Sequence, residues 1–160
     1  MIPKKQDVRL ILDNIRSVHN VGSIFRTAET VGVNKIYCIG TTPIPLDRFG
    51  QARKDFAKVS LGAENLVDWE YVKSATTLIK KLRKDGYYIV SIEQAEDSVN
   101  YRKVKIKAKA GIILGNEVDG VSRSILKLSH VIAEIPLCGK KESLNVSVAA
   151  GIVLYSLLNL

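Results

Sequence analysis

Residues 8–39 read VRLILDNIRSVHNVGSIFRTAETVGVNKIYCI, and their spacing decides the fold class. Val8 to Leu12 is a short apolar run that reads as a buried strand. Val21, Ile24, Phe25, Ala28 and Val31 then recur at helical spacing, with Gly32 placed as a C-terminal cap. Lys35 to Ile39 is a second strand. Strand, helix and strand in so short a span predict an α/β domain, and the same rhythm runs to the end of the chain.

Working outward, Gly40 to Gly50 carries Pro43 and Pro45 and reads as a loop, with a helical stretch possible beyond it. Ser74 to Lys84 places Leu78, Ile79 and Leu82 on one face and lysines and an arginine elsewhere, which predicts an amphipathic surface helix closing at Gly86. Tyr87 to Ile92 and Gly111 to Leu114 read as strands buried in a parallel sheet. Ser122 to Leu128 is a short helix and Val131 to Ile135 a further strand. Leu144 to Leu158 is a helix that is apolar almost all round, so it must be covered on every side. A second copy of the chain would supply part of that cover, with Ala149, Ala150 and Gly151 allowing close approach. The sequence shows no linker or repeat, and the expectation is one domain over residues 1–160.

Between two of these strands Lys103, Lys105, Lys107 and Lys109 alternate with Val104, Ile106 and Ala108. This predicts an extended segment with one wet, positive face. Contact with phosphates and protection of a sheet edge against aggregation both fit that pattern.

The chain has 160 residues and a net charge of +8, which favours polyanionic partners, nucleic acid first among them. A domain of this length buries roughly 70% of its unfolded surface and folds without disulfide or metal. Cys38 and Cys138 sit in apolar stretches without metal-ligand spacing and read as buried thiols in a reducing compartment. The polar N-terminal stretch lacks the apolar core of a signal peptide, and no segment is apolar enough to span a bilayer, so a cytoplasmic protein is expected.

Three segments carry polar residues that a fold alone would not demand. In HNVGSIFRTAETVGV (19–33), Asn20 stands where a strand gives way to a helix, and Arg26 projects away from the apolar stripe. A helix cap and a surface arginine are the plain alternatives. In GIILGNEVDGVS (111–122), a buried strand ends in Gly115, Asn116, Glu117, Asp119 and Gly120, at the carboxyl end where parallel sheets bind ligands. The glycines admit a ligand close to the backbone, and Asn116 and Glu117 can orient it; a polar tight turn would look similar. Neither a dinucleotide fingerprint nor a phosphate loop is present, which disfavours nicotinamide and nucleoside-triphosphate chemistry. In IPLCGKKESLNVSVAAGI (135–152), Ser143 would cap the last helix, and Asn145 just inside it needs a specific partner for its amide.

In this order and spacing the three segments resemble the sequence motifs of the SpoU branch of the SPOUT RNA methyltransferases, over nearly the whole chain. SLNVSVAAGI is the most specific, and NVGSIFRTA and LGNE-x-x-G are strong in combination. The resemblance implies a parallel α/β sheet with helices on both faces and a C-terminal trefoil knot, an exception to the general absence of knots. It implies S-adenosylmethionine held in the knot, by main-chain groups around Leu114, Gly115 and Asn116, Ile135 to Leu137, and Ser143, Leu144 and Asn145, with S-adenosylhomocysteine as product and no metal. It further implies a homodimer through the first and last helices.

The implied reaction is in-line transfer of a methyl group to an RNA ribose 2′-hydroxyl, in tRNA more than rRNA given the lack of added RNA-binding segments. Arg26 would engage the hydroxyl, Asn20 would orient it, and Glu117, Ser143 and Asn145 would complete the site. A guanidinium stays protonated, so Arg26 is expected to bind phosphate and stabilise charge rather than act as base, with proton loss to water or to an acceptor such as Glu117. His19 and His130 are expected to be structural or RNA-contacting. The competing reading is a catalytically silent, knotted RNA-binding assembly protein.

Overall fold

The computed structural model describes residues 6–160. The start of the polar segment read above as lacking a signal peptide, residues 1–5, lies outside them. The elements run β1 (Asp7–Asp13), α1 (Val18–Thr30), β2 (Lys35–Ile39), α2 (Lys54–Ser60), β3 (Asp68–Val72), α3 (Ala75–Lys84), β4 (Tyr88–Ile92), β5 (Val99–Asn100), β6 (Lys109–Leu114), α4 (Arg123–Leu128), β7 (Val131–Glu134) and α5 (Val146–Leu158). The strands form one parallel sheet in the order β3-β2-β1-β6-β4-β7-β5.

Alternation along the strands sorts the core into two layers, as a strand's period of two requires. Leu10, Leu12, Ile36, Cys38, Ile112 and Leu114 pack with α1, α2 and α5. Ile11, Tyr37, Ile39, Ile89 and Ile113 pack with α3 and α4 on the other face. The expected α/β sheet with helices on both faces is therefore present. Each central strand buries both faces, which is why its sequence reads as an unbroken apolar run rather than as alternation.

The strands β3 and β5 were not read from the sequence, and α2 falls where a helical stretch was allowed beyond the Gly40 to Gly50 loop. Strand β3 (DWEYV) lies at the sheet edge and leaves its side chains exposed or half-buried, so its sequence carries no apolar run. Helix α2 contributes only Phe56 and Ser60 to the interior. Phe56 meets Phe25 of α1 edge to face, with centroids 5.1 Å apart, and the side chain of Val59 lies close over Gly22. A Cβ at residue 22 would stand 3.0 Å from that of Val59, so glycine there sets the approach of the two helices.

Two local expectations are corrected. Cys38 is buried, and burial pushes its thiol up to about 12. Cys138, in contrast, is exposed, because β7 ends at Glu134 and the cysteine falls in the following loop. Ser143 does not cap the last helix; Asn145 does, its Oδ1 accepting from the Ser147 and Val148 amides at 2.9 and 3.4 Å. Among the described residues no helix is long and apolar enough to cross a membrane.

His130 is structural in the sense expected. Its Nδ1 accepts the Ile89 amide at 2.9 Å, and its ring stacks on Tyr88 with centroids 4.9 Å apart. Desolvation, with the charges of Arg83 and Lys107, holds the imidazole below its ordinary value. The unfolded chain therefore takes up the proton first as pH falls, so this contribution to stability is complete above about pH 6.5 and lost below it. Urea midpoints measured from pH 7.5 to pH 5 should fall more steeply for the native chain than for His130→Asn. Parallel curves would show that the imidazole contributes nothing.

Candidate active site

Because the strands run the same way, β4, β6 and β7 open at one edge of the sheet, and the polar motif segments follow directly from their carboxyl ends. A cleft of about 700 Å³ lies there. One wall is the turn from Leu114 to Val121, another is Ile135 and Leu137, and a third is Glu142 to Leu144 with Val146 and Ala149 of α5. Apolar side chains and polar groups alternate around it, in the manner of a site for an organic ligand with a few polar handles.

Glycine is required at residue 115. A Cβ on it would lie 2.5 Å from the Val121 nitrogen and 2.6 Å from the Gly120 oxygen, both backbone atoms. The turn is pinned at several points. Asn116 Oδ1 accepts the Val118 and Asp119 amides at 2.8 and 2.9 Å, and its Nδ2 donates to the Asn14 carbonyl at 2.7 Å. Glu93, directly after β4, accepts the Val121 amide at 2.8 Å. Asn116 therefore shapes the cleft wall with an amide already bonded within the protein.

Behind this wall the three motif segments are joined by side-chain hydrogen bonds. Asn145 Nδ2 donates to Asn20 Oδ1 at 3.1 Å, and Asn20 Nδ2 donates to Glu117 Oε1 at 3.3 Å. Glu117 also accepts the backbone amides of Arg16 and Ser17 at 3.2 and 3.4 Å. Burial alone would raise the Glu117 carboxyl, but its own backbone amide, those of Arg16 and Ser17 and the Asn20 side chain outweigh it and hold it below the ordinary carboxylate value. Glu117 is thus an ionised, donor-saturated carboxylate suited to fixing geometry and poorly suited to accepting a proton. The partner demanded for the Asn145 amide is Asn20, supplied within the same chain.

Of the residues named from the sequence, Leu114, Gly115, Asn116, Glu117, Ile135, Leu137, Ser143 and Leu144 line the cleft. Asn20 and Asn145 stand behind Glu117 rather than on its surface. Asn20 is not a cap; Ser17 caps α1 and accepts the Asn20 amide at 3.1 Å. Arg26 is exposed on α1 and is not among the cleft's lining residues. Six residues beyond Asn20, it lies about 9 Å further along the helix and about 120° round it. Glu93, Gln94 and Glu142 also line the cleft and were not anticipated. The carboxyl-end rule applied to β4, as it was to β6, would have found Glu93.

Residues 7–155 match the SpoU rRNA methylase family. The chain belongs to that family. This SpoU-family chain is 31% identical over 156 residues to the tRNA (guanosine(18)-2′-O)-methyltransferase of Aquifex aeolicus, covering 95% of this chain and 69% of that one. It is 36% identical over 146 residues to a Staphylococcus saprophyticus protein assigned to the TrmH family of tRNA/rRNA methyltransferases. That match takes in 91% of this chain and only 56% of the relative, so the SpoU-family chain spans little more than half of that relative's length. The crystal structure of the A. aeolicus TrmH/SpoU tRNA modifying enzyme superposes with a TM-score of 0.84 at 29% identity, over 97% of this chain and 76% of that one. An AdoMet-bound rRNA methyltransferase from Sinorhizobium meliloti superposes with a TM-score of 0.87 at 25% identity, over 99% and 58%.

Proposed function

We propose that this chain transfers a methyl group from S-adenosylmethionine to a ribose 2′-hydroxyl of RNA, tRNA in preference to rRNA, and that it works as a single-domain homodimer. The observation that carries the reading is the cleft itself, walled by the second and third motif segments and backed by the Asn145–Asn20–Glu117 chain of hydrogen bonds, which ties in the first. Family membership supports it, as do the AdoMet-bound S. meliloti enzyme and the 2′-O-methyltransferase name of the A. aeolicus relative.

The cleft fits the cofactor on two counts. Its volume lies in the range of small-molecule sites, and apolar side chains such as Leu114, Ile135 and Leu137 stand beside polar ones such as Glu93, Asn116 and Ser143 around it. Leu114 to Asn116, Ile135 to Leu137 and Ser143 to Asn145 would hold it, and the C-terminal knot expected of the family would draw these loops together. When bound there, S-adenosylmethionine supplies a methyl on a sulfonium centre. Glu117 and Asn20 fix the loop that faces the acceptor, and the rate comes chiefly from holding the hydroxyl in line. The hydroxyl proton passes to water, since the Glu117 oxygens are already taken up by the Arg16 and Ser17 amides and the Asn20 side chain.

Arg26 is exposed and does not line its own chain's cleft, so in this reading it acts on the cleft of the second copy, gripping phosphate and stabilising charge. The dimer face would combine the outer side of α1 with α5. Val148 and Tyr155 are exposed on α5, and a Cβ at Gly151 would meet open space. Apolar side chains left in water beside a bare helix backbone are what such a contact would cover.

Purified protein incubated with methyl-labelled S-adenosylmethionine and bulk tRNA or rRNA should place label in alkali-resistant 2′-O-methyl dinucleotides, more from tRNA. Cofactor binding with no transfer to either RNA would overturn the enzyme reading in favour of a silent RNA-binding protein.

A further inference from the structure

The lysine-rich segment ahead of β6 takes no part in the cleft. Among the described residues Lys103, Lys105, Lys107 and Lys109 form no salt bridge. The extended stretch expected from Lys103 begins one residue later, because Tyr101–Lys103 is a 3-10 turn after β5; beyond it Val104 and Ile106 pack against the core, which turns Lys105 and Lys107 outward. None of these lysines lies in an edge strand: the edges of the sheet are β3 and β5, Lys109 opens the interior strand β6, and the other three lie outside the strands.

Their surroundings add positive charge. Parallel strands bring the amino ends of β4, β6 and β7 together, so Lys107 lies over the Tyr88 ring at 5.1 Å and His130 stacks on the ring. Arg83, at the end of α3, donates to the Leu128 carbonyl beside them. Lysines and arginines in the last turns of α3 and α4 complement helix carbonyls, a local reason for their presence. Lys103 closes the 3-10 turn Tyr101–Lys103 and shares that reason, whereas Lys105 and Lys107 lie beyond it and do not. The nearby Asp7 is already engaged by Arg9 and Tyr87.

We propose that Lys105 and Lys107, flanked by Arg83 and Lys109, form a second RNA contact that grips the phosphate backbone at the amino ends of the strands. The proposal rests on the reading of RNA as substrate. The cleft lies beyond the carboxyl ends of the same strands, roughly 17 to 20 Å away for a strand of this length. One flat RNA face cannot lie against both ends of a strand. The contact therefore engages RNA distant from the methylated nucleotide, by charge and shape rather than by sequence. A positive ladder on an extended chain, with an aromatic ring and an imidazole beside it, suits a polyphosphate strand.

The test is filter binding of unfractionated tRNA across a salt series. Lys105→Ala/Lys107→Ala/Lys109→Ala should lower affinity about 10- to 100-fold and flatten the log–log salt slope by about two to three. S-adenosylmethionine affinity should not change, and in the methyl-transfer assay KM for RNA should rise while kcat holds. A matched control, Lys54→Ala/Lys58→Ala/Lys80→Ala, should have a much smaller effect. Native affinity and slope in the triple variant would overturn the proposal, and so would an equal loss in the control, which would reduce the effect to net charge. If the triple variant loses cofactor binding, the single Lys105→Ala variant decides, with an expected slope change of about 0.7 to 0.9 and none if the contact is absent. RNA binding too weak to measure in the native protein would instead overturn the substrate reading.

Discussion

Gly115→Ala should lose most of its affinity for S-adenosylmethionine while remaining folded. The added methyl group would collide with backbone atoms of Gly120 and Val121, neither of which can swing aside as a side-chain tip could. The turn is held on its other sides by Asn116, by the Asn14 carbonyl and by Glu93, so relief comes only by moving the loop as a unit. Overpacking of this kind costs about 1–3 kcal/mol, or roughly 10- to 100-fold in affinity if the strain falls on the bound state. The sheet is built from other residues, so circular dichroism should remain native. Calorimetric titration checks the affinity, and native affinity in this variant would show that the bare backbone at residue 115 has no part in cofactor binding.

Arg26→Lys should bind cofactor and dimerise normally and yet transfer methyl groups at least 10²-fold more slowly, on the scale seen when a charge-stabilising donor is removed. Lysine keeps the charge but lacks the planar fork that grips a phosphate at two points. Arg26 is exposed, and among the described residues its side chain makes no hydrogen bond, so the substitution has no folding cost to confuse the result. Mixing Arg26→Lys with a cleft-dead variant such as Gly115→Ala tests the rest of the reading. If Arg26 serves the other copy's cleft, heterodimers should recover one competent site, made of an intact cleft and an intact arginine. A mixture no more active than its components would place the arginine with its own cleft or outside the reaction.

Legibility differed between the layers of the molecule for physical reasons. Central strands β1, β2, β4 and β6 were plain in the sequence because burial on both faces leaves an uninterrupted apolar run. Edge strands β3 and β5 bury little and left no such trace. The motif residues were found through resemblance and through polar groups at strand ends, and the cleft collects most of them. Their partners were not legible. Asn145 was seen to need a hydrogen-bonding group, but that the group is Asn20, 125 positions earlier, depends on the sheet order and not on local spacing. Cys138 misled because an apolar neighbourhood in sequence, IPLC, belongs to a loop whose leucine faces the cleft while its cysteine faces water.

The position of β6 also has a bearing on the birth of the protein. Strand β1 leaves the ribosome first among the strands, yet its inner neighbour is made about a hundred positions later, Asp7 pairing with Lys109. At ordinary elongation speeds that is a wait of roughly 5 to 20 seconds with one flank of this largely buried strand unsatisfied. Throughout that interval the nascent chain offers a ready template for illicit pairing, so holdase chaperones and codon usage between β2 and β6 should weigh more heavily on its yield than the stability of the finished sheet.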